Sequence, residues 1–141
     1  MHGYIYGIQM LFLLFAYAFA EVDASITNCG TASKFTIQSL TQTPPNTIRG
    51  GENLTLGLLY TSYEPVLSGT VTTSVTYNFI PLIPSITPLC SSVVCPLNPG
   101  KHDGSVSNAF PSGITGTVVT KIVWTDDNGS ELLCIRSTIK C

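Results

Sequence analysis

The sequence predicts an all-β protein, an antiparallel sandwich of about seven short strands. Residues 69–80 alternate strictly between apolar and polar side chains, similar segments recur between turn-forming residues, and no stretch beyond the amino terminus has helical periodicity. Successive side chains of a strand point to opposite faces, so residues 69–80 are predicted to form a strand with one apolar face. The members of that face are Val71, Thr73, Val75, Tyr77 and Phe79.

The amino terminus has the pattern of a secretory signal peptide. Residues 4–19 are apolar and end in Ala18-Phe19-Ala20, which matches the small-residue spacing of a cleavage site. The run is shorter than the roughly 20 residues of a spanning helix, which favours cleavage over a retained anchor. We expect a signal peptide at residues 1–20 and a single domain at residues 21–141.

The composition of the chain limits the kinds of partner that it can bind. Charged residues make up 10% of the chain, against about 25% in an average soluble domain. The net charge of -2 argues against nucleic acid, because binding to phosphates requires a basic patch.

The cysteines are predicted to form disulfides, with one left over, as in other small secreted domains. Cys90 and Cys95 are close enough in sequence to close a tight loop. Cys29 then needs a distant partner, either Cys134 or Cys141. A bridge across about 100 residues would stabilise the fold by roughly 4 to 5 kcal/mol in the chain-entropy model.

Turn residues separate the remaining elements. Three prolines in the apolar run 80–89 exclude a central strand, so this run is predicted to be either an edge strand packed on the core or the flexible lip of a cavity. Residues 101–108 are predicted to be a polar stretch after a turn, and residues 126–129 a hairpin turn. Further strands are predicted at residues 34–40, 53–60, 118–124 and 132–139.

The sequence gives little support for a catalytic site or a metal site. His102 beside Asp103 in a Gly-rich polar stretch is typical of a solvated turn, and no nucleophile elbow or phosphate-binding loop occurs. His102, Cys90 and Cys95 lack an apparent fourth zinc ligand. We therefore expect no catalytic residues, no metal and no cofactor. Asn53 and Asn128 begin acceptor triplets and are predicted glycosylation sites.

An ordered set of residues carries a family resemblance. The set is Cys29-Gly30, Cys90-x4-Cys95-Pro96-Leu97-x-Pro99-Gly100, Trp124-x-Asp126-Asp127-x-Gly129 and Cys134. Together with the proline-rich run at residues 81–88, it resembles the ML lipid-recognition domain family, whose members carry sterols or phospholipids. The resemblance implies an immunoglobulin-like sandwich with an apolar cavity between its sheets. It also implies disulfides Cys29–Cys134 and Cys90–Cys95, whereas Cys141 has no counterpart.

The resemblance also implies a function and a set of contact residues. We expect a lipid-binding or transfer protein of the secreted or endolysosomal lumen that holds one sterol or phospholipid, touches a membrane transiently, and is monomeric unless Cys141 bridges two chains. Leu82, Ile83 and Phe110 would surround the opening and touch the membrane, and the Tyr77 hydroxyl would lie near the polar end of the ligand. The predicted lipid-binding residues are Leu58, Val75, Tyr77, Phe79, Leu82, Ile83, Phe110, Val118, Ile122 and Trp124.

Two other functions remain open. The same inward residues are equally suited to fill a solid core, which would indicate an extracellular recognition or adhesion module with its binding site on loops. A lipid-sensing co-receptor that presents its ligand to a partner protein is the third possibility, and an exposed apolar patch beside the opening would favour it.

Overall fold

The chain folds into two antiparallel sheets in the computed structural model. The structure describes residues 22–31, 34–48, 51–109, 112–113 and 115–140. The strands are β1 (Val22–Asn28), β2 (Phe35–Thr43), β3 (Thr47–Ile48), β4 (Asn53–Ser62), β5 (Gly69–Tyr77), β6 (Ile80–Pro81), β7 (Ser85–Pro88), β8 (Gly100–Ala109), β9 (Thr117–Asp126) and β10 (Glu131–Lys140). A single turn of 3-10 helix at Leu89–Ser91 follows β7.

The larger sheet has the order β3-β1-β10-β9-β5-β6, with β7 also paired to β5, and the smaller sheet has the order β2-β4-β8. Within the described ranges, seven strands contain seven to ten residues each, and β3, β6 and β7 are short edge pieces. The predicted all-β antiparallel sandwich is confirmed.

The alternating strand lies where its pattern predicts. In β5, Val71 is opposite Trp124 of β9, and Thr73 is opposite Ile122. Directly opposed residues of an antiparallel pair share one face of the sheet. Val71 is buried, so this shared face is the interior of the sandwich.

The segment predicted as a polar stretch is instead strand β8, paired with β4 along its whole length. Its interior positions include His102, opposite Tyr60, and Gly104, opposite Leu58. A glycine and a histidine at inward positions erase the apolar alternation that would have revealed the strand.

The sheets are fastened to each other along one side. Contacts between them concentrate where β2 meets β1 and β10. There the buried Gln42 amide donates hydrogen bonds to the carbonyl oxygens of Ala24, at 3.0 Å, and Pro44, at 3.1 Å. Just before β2, the Lys34 ammonium donates to the Asp126 carboxylate at 2.7 Å.

Both disulfides implied by the family resemblance are present. Cys29, just after β1, is bonded to Cys134 of β10 with 5.0 Å between the Cα atoms. Cys90 is bonded to Cys95 and closes the short loop after β7.

Several predictions fall on residues outside the described ranges. These are the signal peptide at residues 1–20, the contact residue Phe110 and Cys141, the cysteine predicted to be left over. Among the residues that are described, no helix has the length and apolar character needed to cross a membrane.

Acid should weaken the junction between Lys34 and Asp126. The Asp126 carboxylate accepts hydrogen bonds from Lys34 and from the backbone N–H groups of Asn128 and Ser130. The Lys34 bond is the largest cause that lowers the pKa of Asp126 below its ordinary value of 3.8. A lowered pKa gives stability that is fully present above that ordinary value and is lost as pH falls through the folded-state value.

We therefore expect Asp126→Asn to lower the unfolding temperature near neutral pH, and this difference to shrink as the pH falls below about 4. Thermal unfolding monitored by circular dichroism from about pH 7 to pH 2 measures it. Asp127→Asn is the matched control, because an amide oxygen still accepts from the Ser68 hydroxyl that bonds Asp127. Parallel pH curves for wild type and Asp126→Asn would contradict the assignment.

Candidate functional site

A cavity of about 790 Å³ lies between the two sheets. This volume is within the range of about 300 to 1,000 Å³ that is typical of small-molecule sites. The wall from the larger sheet consists of Ile26, Val71, Thr73, Ile122, Trp124 and Ile135. The opposite wall consists of Leu40, Leu56, Gly57, Leu58, Tyr60, His102, Asp103, Gly104 and Ser105.

An aromatic group fixes one end of the cavity. Tyr60 is only 2% exposed and stacks on Phe35 with 5.4 Å between the ring centroids. Trp124 meets Tyr60 edge to face at 5.6 Å, so one aromatic contact joins the two sheets. Such aromatic pairs stabilise a fold by about 0.5 to 1.5 kcal/mol more than the burial of their surface alone, so they help to hold this wall in place.

The interior stays open at Gly104 because no side chain enters there. A Cβ atom built at this residue meets nothing within 4 Å, and the residue is opposite Leu58 in the cavity wall. The position therefore has free space toward the cavity.

The mouth of the cavity is formed by the loop that follows β7. Ser92, Val93, Val94, Pro96, Leu97 and Asn98 border the cavity from this loop. The Cys90–Cys95 disulfide closes the loop, and a pair of hydrogen bonds between the backbones of Val66 and Leu97 anchors its end. Val94 is 88% exposed although it borders the cavity, so the interior reaches solvent here.

Polar groups gather on the β8 side of the cavity. His102 Nε2 lies 2.6 Å from the carbonyl oxygen of Asn98, and its ring lies 5.4 Å from the ring of Tyr60. Burial, and secondarily the charge of Asp103, raises the pKa of Tyr60. Among the described residues none is hydrogen-bonded to the Tyr60 hydroxyl, and its oxygen is not one of the fully buried atoms left without a partner, so it is accessible from the cavity that Tyr60 lines.

Three of the predicted contact residues line the cavity, namely Leu58, Ile122 and Trp124. Six others do not: Val75, Tyr77, Phe79, Leu82, Ile83 and Val118. The cavity lies level with Val71 and Thr73, whereas the Tyr77–Val118 pair is about 20 Å further along the strand from Val71 at roughly 3.3 Å per residue. Val75, Phe79 and Val118 are thus not part of this cavity wall, because alternation identifies a face of the sheet but not the level along it. Leu82 and Ile83 were expected at the opening rather than in the wall, and their contact with lipid stays a prediction.

The polar role expected of Tyr77 is also corrected. Its hydroxyl donates to the carbonyl oxygen of Thr115 at 2.8 Å, outside the cavity. Tyr60 is the tyrosine in the wall, and the sequence signal for it was the alternation of residues 53–60, in which Tyr60 is an inward position. His102 and Gly104 carried no comparable signal.

The predicted glycosylation sites lie at the surface of the protein. Asn53 and Asn128 are both exposed, so their modification stays a prediction. Among the described residues, no group of three or more His, Cys, Asp or Glu side chains is placed to hold a metal ion.

Known proteins resemble this chain in sequence and in structure. The family model of the ML domain matches residues 23–141. A Dictyostelium discoideum protein named "Putative phosphatidylglycerol/phosphatidylinositol transfer protein 2" is 27% identical over 144 residues, covering 99% of each chain.

Two solved structures share the fold. Chicken MD-1, solved in complex with lipid IVa, superimposes with a TM-score of 0.55 at 10% identity, covering 84% of this chain and 89% of its own. A Niemann-Pick type C2 protein from the Japanese carpenter ant gives a TM-score of 0.52 at 13% identity, covering 81% of this chain and 96% of its own.

Proposed function

Because the chain belongs to the ML domain family, we propose that it holds the apolar part of one lipid, a sterol or phospholipid, and carries it between membranes without altering it chemically. The hollow interior of about 790 Å³ is the observation that carries this proposal. Leucine, isoleucine, valine and aromatic side chains form most of its wall.

The free energy of burial is sufficient for a carrier. Each methylene group moved from water into an apolar site gains about 0.8 kcal/mol, so a tail of about fourteen carbons gains roughly 10 kcal/mol before the costs of ordering are subtracted. A dissociation constant of 1 μM corresponds to about 8 kcal/mol. Apolar burial alone therefore supplies a gross gain of the same order as micromolar binding, without a charged anchor in the cavity.

The relatives support the same ligand class. One is named for transfer of phosphatidylglycerol and phosphatidylinositol, and another was solved with lipid IVa. The alternative of an adhesion module with a solid core is not favoured, because the interior of the sandwich is hollow. Two disulfides and the apolar segment at residues 4–19 support a secreted or endolysosomal location.

Filling the space at Gly104 should abolish transfer while the fold is retained. We expect Gly104→Phe to reduce transfer of fluorescent phospholipid between vesicles at least tenfold, because the ring occupies the volume that a tail needs. Its unfolding temperature should be unchanged or higher, since cavity filling commonly stabilises by about 0.5 to 2 kcal/mol.

Ala109→Phe is the matched control, because it adds the same ring at an exposed position of the same strand. Organic extraction of each purified protein followed by mass spectrometry shows whether a lipid is bound. Equal transfer by Gly104→Phe and Ala109→Phe would contradict a carrier that uses this cavity.

We further propose a surface for transient membrane contact, here called the apolar edge. It consists of Phe79, Ile80, Leu82, Ile83 and Ile86, which are all exposed, Phe79 at 90% and Ile83 at 95%. Residues 65–100 contain no charged side chain, and this span includes the mouth loop with the exposed Val94. A patch of this kind fits the interface of an uncharged bilayer.

The apolar edge is held rigidly by its turn. Asn78 and Phe79 both have positive φ, 47° and 67°, which is uncommon for residues other than glycine. Asn78 donates its backbone N–H to the Thr117 carbonyl oxygen, and its side-chain oxygen accepts from the Thr117 N–H, both at 2.8 Å. These bonds keep the turn in place and leave the Phe79 ring in solvent.

The prolines favour lipid over protein as the partner of this surface. Pro81, Pro84 and Pro88 each lack a backbone N–H along the edge of the sheet. An edge without a regular row of donors is a poor template for an added strand. Hydrophobic insertion requires no such row.

Ile83→Glu should weaken binding to phosphatidylcholine vesicles at least fivefold in a flotation assay, because a carboxylate must then enter the interface. Wild-type binding should change little between about 0.05 and 0.5 M salt, since the edge is uncharged. Tyr63→Glu is the control, because Tyr63 is 58% exposed but lies outside both the apolar edge and the uncharged residues 65–100. Equal losses in both variants, or capture of a receptor protein with no vesicle binding, would contradict the membrane contact.

A further inference from the structure

The cavity contains one polar corner, and its chemistry differs from that of the remaining wall. Tyr60 is almost completely buried, lines the cavity and has a hydroxyl without a partner in the described part of the chain. His102 lies beside it, with the rings 5.4 Å apart. One hydroxyl and one imidazole thus face the same space at the β8 side of the mouth.

The charge at this corner is negative. Among the described residues that border the cavity, Asp103 is the one with a charged side chain, and none is lysine or arginine. The neighbouring Lys101 is exposed and does not border the cavity.

An anionic headgroup would gain little here. A phosphate that leaves water loses a large hydration energy, which proteins offset with cations or converging N–H donors. The corner offers no cation, and the nearest charge is the negative one of Asp103, whose side chain alternates to the outer face of β8 at the border of the cavity. A hydroxyl group both donates and accepts hydrogen bonds, so it matches the Tyr60 hydroxyl without a charge, while His102, whose Nε2 is bonded to the Asn98 carbonyl oxygen, adds a polar surface beside it.

We infer that the corner formed by Tyr60 and His102, with no cation beside it and with Asp103 as the nearest charge, selects lipids whose head is uncharged and bears a hydroxyl group. The inference rests on the proposed carrier function and narrows its ligand class. The lipids inferred for this chain therefore differ from the anionic phospholipids for which the Dictyostelium relative is named.

The test compares two amphiphiles with the same acyl chain. Binding of 1-monooleoylglycerol and of oleoyl lysophosphatidic acid to the full mature protein is measured by displacement of a fluorescent fatty-acid probe. We expect monooleoylglycerol to bind at least tenfold more tightly. Asp103→Asn should improve the affinity for lysophosphatidic acid and change that for monooleoylglycerol less.

Tyr60→Phe keeps the ring that packs on Phe35 and removes only the hydroxyl. It should weaken monooleoylglycerol binding about fivefold and leave lysophosphatidic acid nearly unchanged. Tyr77→Phe is the matched control, because its hydroxyl bonds Thr115 outside the cavity, and it should change neither affinity. Circular dichroism confirms that both variants fold.

Equal or tighter binding of lysophosphatidic acid by the wild-type protein would overturn the inference and leave the carrier function standing. A similar loss of both affinities in Tyr60→Phe would also overturn it, because the hydroxyl would then not distinguish the two heads. If neither amphiphile displaces the probe and no lipid is extracted from the protein, the carrier function fails together with the inference.

Discussion

The buried amide of Gln42 holds the two sheets together on the side where β2 meets β1 and β10, and the ion pair of Lys34 with Asp126 joins the residue before β2 to the end of β9. On the opposite side β8 is left apart from the larger sheet, and the space between them is the cavity. If the sheets were fastened on both sides, the same apolar side chains would pack into a solid core. One-sided closure is therefore the constraint on which the mouth, the polar corner and the proposed carrier function depend.

The mouth loop completes this arrangement. The Cys90–Cys95 disulfide and the backbone bonds between Val66 and Leu97 hold the loop against an opening that the sheets themselves do not close. A hollow interior lacks the contacts that a filled core would supply, so a bound lipid should stabilise the fold by mass action. Stability and function are linked through the same space.

Strands whose inward residues are apolar could be predicted from the sequence. β5 and β9 follow from alternation, the hairpin at residues 126–129 follows from its turn residues, and the disulfides followed from the family resemblance. β1 alternates as clearly, at Val22, Ala24 and Ile26, yet it was not predicted. β8 was missed because its inward His102 and Gly104 face a cavity rather than a core.

The cavity itself could not be derived from residue patterns. Leu58, Ile122 and Trp124 have the same alternation whether they line a void or fill one, so only the family resemblance favoured the void. Alternation also fails to fix the level along a strand, which is why Val75 and Val118 were placed in the wall. Tyr60 gains its role from the space beside it, a property of the whole fold.

The sole tryptophan allows the hollow interior to be tested in solution. Trp124 borders the cavity, so a monoacylglycerol with a brominated acyl chain bound there should quench its fluorescence, with saturation at one lipid per chain. The unbrominated lipid should leave the emission intensity nearly unchanged. If the brominated lipid binds and the emission is not quenched, the lipid does not occupy the space between the sheets and the account is wrong.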